Sequence, residues 1–374
     1  MALHYHISYG GKSATRRLKK GHKRLINKSK RYFTRRSRRA LGAGFSALLV
    51  MSSGSAFATS STPAAWQWSH QLQLEGAHVD TPQDDTEQNF QALYTPAIEW
   101  QWAPQWQLYG SAYLRAGNTV SELVGDVQGV SNIDAPELAR LGELYVQRSF
   151  SQGWLKFGRQ DENSDFAVSD VAAQFTHSSM GFSPSLNGLI FYPDSAWLLS
   201  AAWQLSDQQQ LLVGQTQQRS SAEWHWQYAP QSVLKLGYWY HRDLRDWDAA
   251  PGQQHASHPY LIWDHQWHSQ LSSFVQLAPS DADTGPITRQ LGAGVVYDVS
   301  AEQAVGLGWQ RARLRQDGAP LQENAETVTE FYWQQQLNAA VQVQPVLQYV
   351  ANPAGRASTY SWVVLLRLNL SFEH

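Results

Sequence analysis

The chain has 374 residues, no cysteine and a formal net charge of −2. The lack of cysteine excludes disulfides, thiol nucleophiles and thiolate metal sites. The small net charge hides two opposed parts: residues 1–58 carry fourteen Lys/Arg and no acid, and the rest carries fifteen basic against thirty-one acidic residues.

In chain order, basic residues run to Arg39, followed by an apolar stretch, Ala40 to Met51, and then Ser52-Ser53-Gly54-Ser55 and Ala56-Phe57-Ala58. A charged region, a short apolar core and a small-x-small site predict a secretory signal peptide over residues 1–58. The core is too short to cross a bilayer as a helix, which needs about 20 apolar residues. Lys19-Lys20, Arg35-Arg36 and Arg38-Arg39 also raise nucleic-acid binding or twin-arginine export. Ser37-Arg38-Arg39-Ala40-Leu41 is only a partial export motif, and no nucleic-acid partner is expected.

Beyond the leader, alternating segments recur, and a period of two marks strands. Trp66 to Leu74 and Gln105 to Gly117 come first. Leu141 to Phe150 and Trp154 to Arg159 flank a turn at Ser151-Gln152-Gly153. Ala196 to Leu205 and Gln210 to Gln218 flank Ser206-Asp207, and Ala222 to Tyr228 and Val233 to His241 flank Ala229-Pro230. Tyr260 to Trp267, Leu271 to Leu277, Ile287 to Val299, Gln303 to Arg315, Thr327 to Leu337 and Ala340 to Val350 follow. Longer irregular stretches lie near 117–139, 160–186, 242–258 and 315–325.

The last segment, Ser361 to Phe372, alternates without a break. Trp362, Val364, Leu366, Leu368, Leu370 and Phe372 share an apolar face, while Ser361, Val363, Leu365, Arg367, Asn369 and Ser371 share a mixed one. Its length suits a tilted strand crossing a bilayer, about 9–11 residues. All 17 Trp fall after residue 65, as aromatic girdles at two membrane interfaces require. Together these features predict an all-β transmembrane antiparallel barrel over residues 59–374, in the bacterial outer membrane. A single-chain barrel there has an even strand number, so sixteen strands are expected. Gln342, Gln344 and Gln348 should face a lumen that encloses water rather than a packed core.

Two segments carry a family resemblance. The first runs from Gly142-Glu143-Leu144-Tyr145 through Phe157-Gly158-Arg159 to Asp165-Phe166-Ala167-Val168-Ser169-Asp170, then Phe175, Ser178, Gly181 and Pro184. The second joins Glu330 to Leu337, Gln344-Pro345-Val346-Leu347-Gln348-Tyr349-Val350-Ala351-Asn352-Pro353, and Leu366 to Phe372. They resemble the carbohydrate-selective porins of the OprB type. Val346 stands where that family usually has an acid, and Ala354-Gly355 where it usually has Gly directly. The resemblance implies a sixteen-stranded outer-membrane porin passing small carbohydrates.

A sugar pore needs planar donors, acceptors and aromatic faces. Arg159, Asp161, Glu162, Asp165 and Asp170 are the first candidates for a constriction, on a loop folded into the pore. Glu330 and Arg367, on polar strand faces, are candidates to pair across the lumen. Trp239, Tyr240, Arg242, Arg245 and Trp247 are candidates for the mouth. His255 with His258, and His265 with His268, fall short of a three-ligand metal site; no metal or cofactor is expected. Outer-membrane lipid and lipopolysaccharide are the expected surroundings, with a homotrimer possible. A non-selective porin, a polysaccharide exporter and an outer-membrane enzyme are the alternatives. An exporter of acidic polysaccharide would want a basic lumen, whereas only Lys156 and Lys235 follow the leader as lysines. An enzyme would need a nucleophile and an oriented base; no G-x-S-x-G occurs.

Overall fold

The computed structural model describes residues 65–82, 84–183, 185–186, 192–242, 255–279, 286–315 and 323–373. The expected leader, Arg245 and Trp247 lie outside the described residues. Sixteen antiparallel strands close into one barrel. They are β1 (Ala65–Thr81), β2 (Asp84–Ala103), β3 (Trp106–Gly117), β4 (Leu138–Phe150), β5 (Gly153–Gln160), β6 (Ala196–Ser206), β7 (Gln209–Gln215) and β8 (Arg219–Ala229). The second half comprises β9 (Ser232–His241), β10 (Ala256–His268), β11 (Leu271–Pro279), β12 (Ile287–Asp298), β13 (Gln303–Leu314), β14 (Ala325–Asn338), β15 (Val341–Ala351) and β16 (Tyr360–Glu373). Each strand pairs with its sequence neighbours, and β16 closes on β1 through a ladder from Ser69↔Glu373 to Asp80↔Trp362. Closure leaves no strand edge unpaired, which a lipid environment demands.

The expected faces of β16 hold. Trp362, Val364, Leu366 and Phe372 are exposed on the outer wall, and Ser361, Val363, Leu365 and Arg367 are buried inside. Two-residue turns at 104–105, 151–152, 207–208 and 230–231 share one rim with the start of β1 and the end of β16. The connections at 118–137, 161–195 and 242–255 share the other. Outward aromatics gather near both rims. Trp66 stacks on Trp100 at 4.8 Å near the short turns. Phe157 meets Trp197 at 5.5 Å, and Tyr349 meets Trp362 at 4.7 Å, near the long loops. Strand β2 had no clear signal of its own. Its start is acidic, and Pro96, which lacks an N–H, sits where the ladder to β3 skips from Tyr94↔Leu114 to Ala97↔Ser111.

The interior differs from the expected water-filled lumen. The connection 118–137 and the described residues 161–183 and 185–186 fold into the barrel and build a packed core there. Val120, Val124, Val130, Val171, Phe175 and Met180 from these loops meet inward Phe274, Val328, Tyr332, Val346, Val350, Val363 and Leu365. A second cluster sets Phe166, Phe182 and Leu186 against Leu212, Trp239, Tyr260 and Ile262. The inward apolar side chains of the wall are therefore explained by loops they hold rather than by solvent. Phe175 is packed edge-on against both Tyr332 (4.9 Å) and Phe274 (5.6 Å), a geometry favoured by the ring quadrupoles.

Candidate functional site

The inserted loops are held mainly by wall carboxylates that accept hydrogen bonds from loop backbone. Glu330 on β14 accepts from the amides of Thr176 and His177, each at 2.7 Å, and from Gln348 Nε2 at 2.9 Å. Glu326 accepts from the amides of Val127, Gln128 and Ala354 at 3.0, 3.1 and 2.7 Å. Asp264 on β10 takes the Ser169 hydroxyl at 2.5 Å and the Asp170 amide at 3.0 Å. Glu223 on β8 takes the Ala167 amide at 2.8 Å, where Ala167 holds a left-handed φ of 59°. Glu143 on β4 takes the Asp161 amide at 3.0 Å. Hydrogen bonds to a charged acceptor are roughly twice as strong as neutral ones, so these contacts fix the path of the loop backbone.

Around this insert, part-exposed inward side chains form two unlike walls. On β3–β5, Tyr109 and Tyr145 stack at 5.1 Å. Lys156 Nζ lies 5.1 Å from the Tyr145 ring centre and 4.4 Å from that of Trp154. The same ammonium donates to Asp165 of the inserted loop at 2.8 Å. Aromatic faces, a cation and a carboxylate thus meet at one place. Opposite in character, amides line up donor to acceptor across β1, β16, β15 and β14. Gln73 Nε2 donates to Asn369 at 2.9 Å, Asn369 Nδ2 to Gln342 at 2.8 Å, and Gln342 Nε2 to Gln336 at 3.2 Å.

The predicted site residues are distributed as follows. Asp161, Glu162, Asp165 and Asp170 lie on the inserted loop. Asp161 is buried and caps the turn Glu162–Ser164 through the Asn163 amide at 2.8 Å. Burial pushes its carboxyl well above the usual range, and the nearby Glu143 adds to this. Glu162 is buried 3.5 Å from Arg219; Asp170 alone of the four is exposed. Arg159 is a correction. It shares the outward face of β5 with Leu155 and Phe157, pairs in register with exposed Leu144 and Trp197, and donates to Ser195 Oγ at 3.3 Å. Its parity excludes it from the lumen.

Glu330 and Arg367 do not pair with each other. Arg367 forms its ion pair with Glu75, and Glu330 spends both oxygens on the loop. Trp239 is not a mouth residue: it is fully buried, facing inward, 4.5 Å from His258. Tyr240 is exposed on the outer face and Arg242 follows at the rim. Tyr109, Tyr145, Trp154 and Lys156 were missed in sequence. Only the rarity of lysine beyond the leader singled one of them out. Among the described residues no group of three or more His, Asp or Glu is placed to hold a metal.

The family model described as carbohydrate-selective porin, OprB family, matches residues 100–269 and 253–372. Comparison with curated proteins finds no match. Among solved structures, the high-pH structure of Pseudomonas putida OprB is similar, with a TM-score of 0.69, 17% identity, and coverage of 83% of this chain and 94% of that one. Salmonella typhi OmpF gives 0.54 at 11% identity, covering 82% and 97%. Vibrio cholerae OmpT in trimer form gives 0.52 at 11% identity, covering 82% and 100%. At these identities the likeness is one of fold.

Proposed function

Because the chain belongs to the carbohydrate-selective porin, OprB family, a family of outer-membrane channels, we propose that its sugar path runs past the Tyr109–Tyr145–Trp154 wall and Asp165 of the inserted loop. The protein is a sugar-preferring channel of the bacterial outer membrane; diffusion through it is passive. The observation that carries the path is the Lys156–Asp165 pair set over two aromatic rings. Aromatic faces take the apolar face of a sugar ring, and the ammonium and carboxylate give and accept hydroxyl hydrogen bonds. The two charges offset each other, so the site carries no net charge to favour an ion over a neutral polyol. The amide row from Gln73 to Gln336 offers further donors and acceptors without charge.

Transport demands weak binding; a millimolar site is worth only about −4 kcal/mol and releases solute quickly. In the same reading, residues 1–58 are a cleaved leader for export through the periplasm, and the barrel assembles as a homotrimer, the form named for the similar Vibrio porin. Liposome swelling tests the proposal. Glucose should enter faster than an amino acid of similar size, and the difference should shrink in Trp154→Ala and Asp165→Asn. Rates that follow solute size alone, in wild type, would mean a general pore; an unchanged ratio in both variants would place the path elsewhere.

A further inference from the structure

The outer wall carries a basic patch for which the channel has no use. Arg289 on β12 and Arg311 and Arg313 on β13 are exposed, and all three face outward. Their sequence neighbours Gln290, Gln310 and Ala312 are buried inside, and exposed Leu291 and Leu307 share their face. Arg289 and Arg313 stand directly opposite in the ladder, with Arg311 opposite Leu291 one step further in. Like charges directly opposite on one sheet face repel. None of the three is paired with a carboxylate among the described residues. The arrangement concentrates three of the fifteen basic residues outside the leader onto one spot of a chain that carries thirty-one acids.

Its height is informative. The patch lies in the last residues of β13 before the 315–324 connection, on the long-loop rim, which faces the cell exterior in such barrels. Trp309, the next outward residue toward the membrane centre, pairs with Ala293, and tryptophan marks the headgroup boundary. Beyond that boundary an outward arginine meets lipid headgroups. Guanidinium forks match phosphate oxygens bidentately, and a bound dianion would relieve the Arg289–Arg313 repulsion.

We propose that Arg289, Arg311 and Arg313 form a binding site on the outer wall for the phosphate groups of the anionic glycolipid of the outer leaflet. The lipid would sit with its acyl chains against Leu291, Val295 and Leu307, all exposed on the same two strands. This site is separate from the sugar path and does not depend on it.

Native mass spectrometry of the folded barrel in detergent tests the site, with purified diphosphoryl lipid A as the added lipid. Wild type should retain lipid A, and Arg289→Gln/Arg311→Gln/Arg313→Gln should bind at least about tenfold more weakly with heat-modifiable mobility and glucose swelling unchanged. Dephosphorylated lipid A should bind wild type as weakly as the triple variant does. Should the triple variant fail to fold, Arg311→Gln alone is used, with a loss of a few-fold expected. Equal retention by the folded variant overturns the proposal. So does displacement of lipid A by millimolar inorganic phosphate, which would reduce the patch to a general anion site. Loss of oligomers instead of lipid also overturns it, in favour of a contact between copies.

Discussion

Glu75 and Arg367 face each other across the seam where β1 meets β16, in register and buried. The pair does more than close the barrel. Glu75 also accepts from Gln91 Nε2 at 2.6 Å and from the Ser131 hydroxyl at 2.7 Å, and Arg367 also bonds Asn132 Oδ1. The first and last strands and the 118–137 loop are thus tied at one point.

Removing one partner of a buried ion pair leaves an uncompensated charge, at a cost of about 3–5 kcal/mol. Arg367→Gln and Glu75→Gln should each lower the temperature at which the folded band converts on a gel. The double variant should lie above at least one of the singles, since no lone charge remains. Additive losses would show that the two residues act separately.

Glu330→Ala removes the acceptor for two loop amides and for Gln348. Each such buried donor left without a partner costs about 1–3 kcal/mol. The sixteen-stranded wall does not need these contacts, so the barrel should stay folded while the 161–183 segment loosens. Swelling with oligosaccharides larger than those wild type admits should rise. A folded variant with an unchanged size limit would contradict the anchoring role.

Phe175→Ala should act in the same direction through packing. It empties the space between Phe274 and Tyr332, a change that costs about 3–5 kcal/mol in a core. Proteolysis within 161–183 should speed up by at least about tenfold. Cleavage at the wild-type rate would mean that the loop is held by its hydrogen bonds alone.

Acidification should loosen the loop through His177. Burial lowers its imidazole from the ordinary value of 6.5 to about 3. A folded value below the unfolded one gives stability present above pH 6.5 and lost as pH falls toward 3. Protonation also removes the acceptor that Nδ1 offers to Ser179. Asp161 works the other way: its raised carboxyl contributes stability at low pH that is lost as pH rises through its folded value. Between pH 7 and pH 4 the protection of residues 161–183 against hydrogen exchange, corrected for the intrinsic slowing of exchange in acid, should change more favourably in His177→Gln than in wild type and less favourably in Asp161→Asn. A pH profile unaltered by both substitutions would count against this assignment.

Much of the barrel was legible because period two survives in nearly every strand, and the hairpins at 151–152, 207–208 and 230–231 carry ordinary turn residues. The long β16 fixed its own inside and outside. Short β5 did not: eight residues with Lys156 on one face and Arg159 on the other leave the choice of lumen open. Val363 and Leu365 looked like tolerance on a wet face, since their partners Val120, Val130 and Val171 lie roughly 200 residues away on loops without periodicity. Arg367 could not be matched to Glu75, 292 residues earlier, until the ring was closed. The lumen side of β3–β5 was hidden because tyrosine and tryptophan there read equally well as girdle.

Much of the grip of the wall carboxylates falls on main-chain amides, at 127, 128, 161, 167, 170, 176 and 177, with side chains such as the Ser169 hydroxyl adding to it. An amide is the same whatever residue bears it. The barrel therefore acts as a mould that prescribes the route of the loop and leaves many of its side chains free to change. Solute preference can drift by substitution at positions such as Asp165 and Asp170 while the passage keeps its bore.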